Sequence, residues 1–213
     1  MSRPIDVGLK QIKTLLLKMG DLATDTLTLA LKGFFDEEDI YLRVKSSSNM
    51  LLILSEEVQD KVTEQIALYQ PMAGDLRTLR AYIKIAYDLE RFGRYAYDVS
   101  DIAHRLGTWK PFSNGELLLD DMENKVQDIV KIAIKLIESE DESLIKRVSE
   151  LEDNIDLLYF DNLKLLIDSR KTDTKTVIAY LLLIRYLERI ADHASYIGES
   201  ITYAYTGERV NLR

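Results

Sequence analysis

The sequence predicts an all-α protein built from two tandem three-helix bundles that are related by internal duplication. Apolar residues recur at steps of three and four along almost the whole chain of 213 residues, and no segment sustains the period-two alternation of a β-strand. One stretch rich in glycine, proline and small polar residues, 107–115, divides the chain into two halves of similar length. The last helices predicted in the two halves also carry matching residues.

The first half, residues 1–106, is predicted to hold three helices. Gly33 and the segment from Asp36 to Asp39 are expected to end the first helix and open the second. The apolar stripe of the second helix stops before Pro71, because proline cannot continue a helix interior. The third helix then runs to Leu106 with its apolar residues at regular helical spacing.

The second half, residues 116–213, repeats this pattern after the linker at 107–115, with apolar stripes over 118–136, 144–165 and 183–204. The third and sixth helices match residue by residue at an offset of 98. Coincidence between two amphipathic helices would leave the shared polar residues unexplained, so we favour an internal duplication. Matches include Asp75 with Asp173 and Leu89-Glu90-Arg91 with Leu187-Glu188-Arg189.

Composition excludes several classes of function. The net charge of −8 argues against a nucleic-acid-binding protein, which needs a clustered basic surface. The absence of cysteine excludes disulfides, thiol nucleophiles and thiolate metal sites. No apolar run approaches the ~20 residues that span a bilayer, and the N-terminus lacks the apolar core of a signal peptide. We therefore expect a cytoplasmic protein that is at most peripheral to a membrane.

Four carboxylates are arranged in two Glu-x-x-x-Asp pairs, Glu152 with Asp156 on the fifth helix and Glu188 with Asp192 on the sixth. The spacing places both acids of a pair on one face of a helix. The turn between the helices is predicted near Lys171 to Asp173, and residues at equal distances from the turn of an antiparallel hairpin lie at equal height. The four carboxylates can therefore converge into an oxygen-rich cluster of the kind that Mg²⁺, Ca²⁺, Mn²⁺ or iron accepts.

A plainer interpretation of these acids stays open at this stage. They could form a solvated acidic face that Arg185 and Arg189 screen. His193 directly follows Asp192 and therefore points about 100° away from it around the helix, so an interhelical hydrogen bond or a polar flank is favoured over a ligand role.

Three segments together resemble the PhoU family, whose members are cytoplasmic regulators of phosphate uptake: Gln70 to Arg77, Asp88 to Gly93 and Leu187 to Ala194. With the opening segment from Leu16 to Gly20, the resemblance covers nearly the whole chain. It implies a tandem pair of three-helix bundles. It also implies partners, namely the ATPase subunit of a phosphate ABC transporter and a membrane sensor histidine kinase.

The resemblance further implies metal binding at Glu/Asp-x-x-x-Asp motifs, which in the second bundle match Glu152, Asp156, Glu188 and Asp192. The corresponding positions of the first bundle are occupied by Glu90, Arg94, Ser55 and Gln59. Two acids with the right spacing, Glu56 and Asp60, are displaced from the expected positions by one residue. We therefore predict that the first bundle has lost its cation site or has replaced it with an Arg94–Glu90 ion pair.

The sequence contains no nucleophile with a partnered base and no glycine-rich phosphate loop. We therefore expect a non-enzymatic adaptor that regulates phosphate transport and binds a divalent or iron-type metal ion. The alternative is a carboxylate-metal enzyme acting on phosphate esters or oxygen, which would need an open coordination position. We also expect a homodimer. Nine of the twelve tyrosines lie on the third and sixth helices, which suits a groove, a dimer contact or ordinary partial burial.

Overall fold

The computed structural model describes residues 3–36, 40–113, 115–139, 141–169 and 173–212, and within these ranges it contains six helices and no strand. The all-α prediction is confirmed. No helix in these ranges is long and apolar enough to span a membrane. The helices are α1 (Pro4–Asp36), α2 (Tyr41–Tyr69), α3 (Ala73–Leu106), α4 (Leu119–Glu138), α5 (Glu142–Asp168) and α6 (Thr174–Thr206).

The helix boundaries follow the predicted signals with one correction. The first helix does not end at Gly33 but continues to Asp36, because Phe34 is buried in the core and holds this last turn in place. The rest of the predicted turn, 37–39, lies outside the described residues. Before Pro71, Gln70 adopts a left-handed conformation with φ of 45° and its N–H donates to the carbonyl of Ile66, which closes α2.

The two predicted bundles are α1–α3 and α4–α6, and they share one core. The most extensive contact between any two helices is that of α3 with α6, and α1 also packs against α4. The buried apolar residues of both halves form a single contiguous cluster. The tandem arrangement is confirmed, whereas the domain limits 1–106 and 116–213 stay predictions.

The linker 107–115 packs against the helices in its described part. The ring of Trp109 lies 4.9 Å from that of Phe34, and the ring of Phe112 lies 4.9 Å from that of Tyr180. The linker therefore contributes to the contact between the halves and fixes the start of α6 against the end of α1.

Candidate metal centre

The α5–α6 pair buries part of the predicted carboxylate cluster. Glu152 and Asp192 are each only 3% exposed, and Asp156 and Glu188 are partly buried. These acids therefore do not form a solvated face. Of the predicted hairpin turn, only Asp173 lies within the described residues; its side chain accepts a hydrogen bond from the backbone N–H of Thr176 and caps α6.

Three of the four carboxylates influence one another electrostatically across the helix pair. Burial is the largest cause of the raised pKa of Glu188, and the negative charges of Asp192 and Asp156 raise it further. Arg185 and Arg189 oppose this shift in the pKa of Glu188. Asp156 belongs to α5 and Glu188 to α6, so this effect on the pKa of Glu188 acts between the two helices. Convergence of all four carboxylates stays a prediction.

Two arginines of α6 bind acids of this group. Arg185 Nη1 donates to Glu188 Oε2 at 2.7 Å, and Arg189 Nη1 donates to Asp192 Oδ2 at 3.0 Å. The two arginine side chains are 38% and 39% exposed, so both have room to rotate into solvent. The screening by arginine that the plainer interpretation predicted is therefore present, but it acts on buried acids.

The donor set fits a hard cation in its chemistry. All four groups are carboxylates, the ligands that such cations prefer. In the part of the chain that the structure describes, no three His, Cys, Asp or Glu side chains are gathered closely enough to hold a metal ion. Binding would therefore require side chains to move, with Arg189 leaving Asp192. The metal site at these four residues stays a prediction.

The corresponding region of the first bundle is balanced in charge. Burial raises the pKa of Glu90, and Arg91 and Arg94 oppose that shift. Burial likewise raises the pKa of Asp98, again opposed by Arg94 and Arg91. No ion pair within 4.0 Å joins Glu90 to Arg94 among the described side chains, so Arg94 acts on Glu90 through charge at longer range.

The second helix of the first bundle presents no carboxylate toward this region. Ser55 is buried in α2, and Gln59 Nε2 donates to the backbone carbonyl of Ser55 at 3.4 Å. Glu56 and Asp60 are exposed, as their displacement by one residue predicted. Loss of the cation site in the first bundle stays a prediction.

His193 connects the two bundles. Its Nδ1 lies 2.8 Å from Oδ1 of Asp88 on α3, so the predicted interhelical hydrogen bond is confirmed. Both side chains are buried, and burial raises the pKa of Asp88 against the opposing effect of the hydrogen bond to His193. The sequence reasoning did not select Asp88. A signal was present, because the offset of 98 pairs this aspartate with Tyr186, an unlike residue in an otherwise matching segment.

Comparison with known proteins agrees with this architecture. The family model for the PhoU domain matches the chain twice, over residues 16–103 and 119–201. A phosphate-specific transport system accessory protein PhoU homolog of Clostridium acetobutylicum is 28% identical, with 100% of this chain and 99% of the relative covered. The PhoU homolog of the same name from Synechocystis is 27% identical over 95% of this chain and 91% of its own length.

A solved structure shows the same likeness in three dimensions. The crystal structure of PhoU from Pseudomonas aeruginosa has a TM-score of 0.86 and 25% identity to this chain, covering 95% of this chain and 99% of its own. Both bundles are thus matched by the family model, by full-length relatives and by a solved structure. The chain belongs to the PhoU family.

Proposed function

We propose that this protein is a cytoplasmic regulator of phosphate transport and phosphate homeostasis that acts through protein contact and binds a metal ion at the carboxylates of its second bundle. The relatives from Clostridium acetobutylicum and Synechocystis are named as accessory proteins of a phosphate-specific transport system, and each is aligned with this chain over nine-tenths or more of its length. Both PhoU repeats are present. A shared regulatory role in phosphate transport is the simplest reason for this agreement.

The observations that support the metal-binding part are the burial of Glu152 and Asp192 and the effect of the charges of Asp192 and Asp156 on the pKa of Glu188. Glu152, Asp156, Glu188 and Asp192 would hold the ion. A bound cation would supply positive charge and so reduce the repulsion between these carboxylates. In its absence, Arg185 and Arg189 hold Glu188 and Asp192. The ion would therefore replace arginine contacts and join α5 to α6.

Exposed apolar side chains support a mechanism based on protein contact. Leu157 and Ile167 of α5 are 65% and 82% exposed, and Phe160 lies between them on the same helix. The outer helix of the first bundle, α2, likewise exposes Leu42 and Ile53. Apolar side chains grouped on a surface are typical of protein interaction sites. The partners we propose are the ATPase subunit of a phosphate ABC transporter, a sensor histidine kinase and a second copy of this chain.

Calorimetric titration with Mn²⁺, Mg²⁺ and Fe²⁺ tests the metal site. The double variant Glu188→Ala/Asp192→Ala removes the α6 half of the site, and Glu56→Ala/Asp60→Ala is the matched control, with the same spacing on the exposed face of α2. We expect saturable binding in the wild type and the control and its loss in the first variant. Equal metal uptake by all three proteins would contradict the site.

Affinity capture from membranes of the source cells tests the regulatory role. The full chain is expected to retain the transporter ATPase subunit, and failure to do so would contradict the adaptor mechanism. Turnover of phosphate esters that depends on metal and is abolished in Asp192→Asn would instead favour the carboxylate-metal enzyme. His193 is next to Asp192 in the sequence, but in the described structure its Nδ1 is hydrogen-bonded to Asp88. It is therefore not placed as a general base for the carboxylate cluster.

A further inference from the structure

A small cleft lies between α3 and the C-terminal end of α6, away from the residues of the candidate metal centre. Its volume is about 230 Å³. Pockets that hold drug-sized ligands are usually about 300–1,000 Å³, so this cleft suits a small group. The polar side chains that line it are Arg80, Lys84, Glu199, Ser200, Tyr203 and Arg209.

The cleft carries more positive than negative charge. Three of its side chains are cations, and the carboxylate of Glu199 is the only acid among the residues that line it. Glu199 Oε1 already accepts a hydrogen bond from the backbone N–H of Leu212 at 3.2 Å. Within the described structure, Arg80, Lys84 and Arg209 form no ion pair and no hydrogen bond. Their donors are available to an anion.

Two of these cations lie near the same aromatic ring and line the same cleft. The guanidinium carbons of Arg80 and Arg209 lie 6.0 Å and 5.9 Å from the ring centroid of Tyr203. Arg80 comes from α3, whereas Arg209 follows α6, so the fold brings them together from distant parts of the chain. An anion between two guanidinium groups would offset their repulsion and accept charge-assisted hydrogen bonds.

A buried hydroxyl supplies a further donor. Ser200 is 3% exposed, lines the cleft, and its Oγ has no hydrogen-bond partner in the described structure. Buried polar atoms are nearly always satisfied, so an unpaired one needs an explanation. A ligand oxygen that accepts from the Ser200 hydroxyl provides one.

The duplicated half shows that the packing of the repeat does not require these cations. At the offset of 98, Arg80 corresponds to Ile178 and Lys84 to Leu182. A neighbouring cation of α3, Arg77, corresponds to Lys175 of α6. Arg77 lies near the residues that follow α6, and Lys175 lies near the residues that follow α3. The guanidinium of Arg77 lies beside Gly207 after α6, 3.5 Å from where a Cβ on that glycine would stand, and the helix dipole favours positive charge there. Lys175 Nζ donates to the carbonyl of Thr108 after α3. The shared cation is therefore explained by the fold, and the two unshared ones are not.

We propose that this cleft binds a phosphate group, either as free inorganic phosphate or as a small phosphate monoester. Arg80, Lys84 and Arg209 neutralise the charge, and Ser200 donates to one oxygen. The inference goes beyond the proposed function, because it rests on a different surface and does not need a metal ion. A regulator with this site would respond directly to the concentration of the phosphate compound it binds.

Isothermal titration with inorganic phosphate and with AMP, at physiological ionic strength, tests the proposal. We expect saturable binding to the wild type and a loss of about tenfold or more in Arg80→Gln/Lys84→Gln, because a hydrogen bond to a charged group contributes about 1.5–3 kcal/mol. The control, Lys131→Gln/Lys146→Gln, removes the same charge from exposed positions on α4 and α5. All the substituted residues are exposed, and circular dichroism verifies that each variant is folded.

The titrations with phosphate and with AMP distinguish the two possible ligands. Tighter binding of phosphate than of AMP identifies the free ion as the ligand, and the reverse identifies a monoester; either supports the cleft if the control binds like the wild type. No saturable binding of either compound to the wild type would overturn the proposal. Equal weakening in both double variants would also overturn it, since that result would show an effect of net charge alone. Neither failure changes the metal titration or the capture experiment.

Discussion

Glu188 and Asp192 of α6 lie one turn apart, and each forms an ion pair with an arginine of the same helix, Arg185 and Arg189 respectively. At the equivalent place on α3, Glu90 is followed one turn later by Arg94 and two turns later by Asp98. There two acids are balanced by Arg91 and Arg94. The difference shows that a duplicated scaffold can keep its helices while one half carries more acids than the other at equivalent positions. A single exchange of aspartate for arginine accounts for much of this difference.

A second comparison concerns the contact between α3 and α6. His193 bonds to Asp88, and the residues that correspond to these two at the offset of 98 are Tyr95 and Tyr186. Tyr95 and Tyr186 also meet across the helices, with stacked rings whose centroids are 6.0 Å apart. The two halves therefore place equivalent positions in contact, once through a polar pair and once through an aromatic pair. The fold determines which positions meet, whereas the residue types at those positions differ between the two halves.

The largest expected effect tests whether the two bundles share one core. Phe92 of α3 is fully buried, and its counterpart in α6, Ile190, is too. Replacing a buried phenylalanine with alanine typically costs about 3–5 kcal/mol, and a buried isoleucine about 2–5 kcal/mol. We expect Phe92→Ala and Ile190→Ala each to lower the free energy of unfolding by such amounts in a single urea transition. Circular dichroism and the fluorescence of Trp109 should report the same midpoint.

Independent bundles would give a different result. Each variant would then shift one of two transitions, and the transition of the other half would keep its midpoint. That outcome would contradict the contiguous core seen in the structure.

A smaller effect is expected at the paired contacts between α3 and α6. His193→Leu leaves Asp88 buried without its hydrogen bond, and an unsatisfied buried polar group costs about 1–3 kcal/mol. The matched variant Tyr95→Leu removes an aromatic contact worth about 0.5–1.5 kcal/mol. Urea denaturation at neutral pH measures both losses in free energy. An equal loss in the two variants would show that the polar pair contributes nothing beyond packing.

The fold could be predicted from the sequence because its information is local. Apolar spacing marks each helix, and the linker and Pro71 mark two of the breaks. α1 ends at Asp36, in the predicted segment, and runs through Gly33, because burial of Phe34 outweighs the helix-breaking tendency of that glycine, which only the folded structure reveals. The packing of Trp109 and Phe112 against the helices also depends on contacts between distant parts of the chain.

The candidate site was predictable only in part, for a related reason. The one-turn spacing of Glu188 and Asp192 is visible in the sequence. The sequence also shows that Glu152 and Asp156 stand at matching distances from the predicted turn between α5 and α6. The near-complete burial of Glu152 and Asp192 is not visible, because it depends on how the side chains pack. The bond of His193 to Asp88 joins residues 105 positions apart, which no local pattern can reveal.

A pH series sharpens the comparison of the polar and aromatic contacts. Burial raises the pKa of Asp88 above its ordinary 3.8, with His193 and Lys84 opposing and Glu199 adding to the shift. A raised folded-state pKa of an acid means that stability present below pH 3.8 is lost as the pH rises through the folded-state value. The variant Asp88→Asn cannot ionise, so its stability relative to the wild type should increase as the pH rises over this range.

Urea denaturation of both proteins at intervals upward from pH 3.8 measures this difference. Tyr186→Phe, at the counterpart of Asp88, is the control and should follow the wild type throughout the acid range. Parallel curves for Asp88→Asn and the wild type would contradict the raised pKa. A wild type that gains stability over the variant with rising pH would mean that the His193 bond outweighs burial.

The smallest expected effect separates the two charge environments directly. Arg189→Gln removes the ion pair between Arg189 and Asp192, and because the guanidinium is more than a third exposed, we expect the metal-free protein to lose at most about 1 kcal/mol. Arg94→Gln removes an exposed charge near Glu90 and Asp98 and should cost about 0.3 kcal/mol. The more informative measurement is calorimetric titration with Mn²⁺. If arginine and metal compete for the same carboxylates, Arg189→Gln binds the ion more tightly than the wild type, whereas Arg94→Gln binds as the wild type does. Weaker binding in Arg189→Gln would show instead that Arg189 positions the acids for the ion, and equal changes in both variants would remove the distinction between the halves.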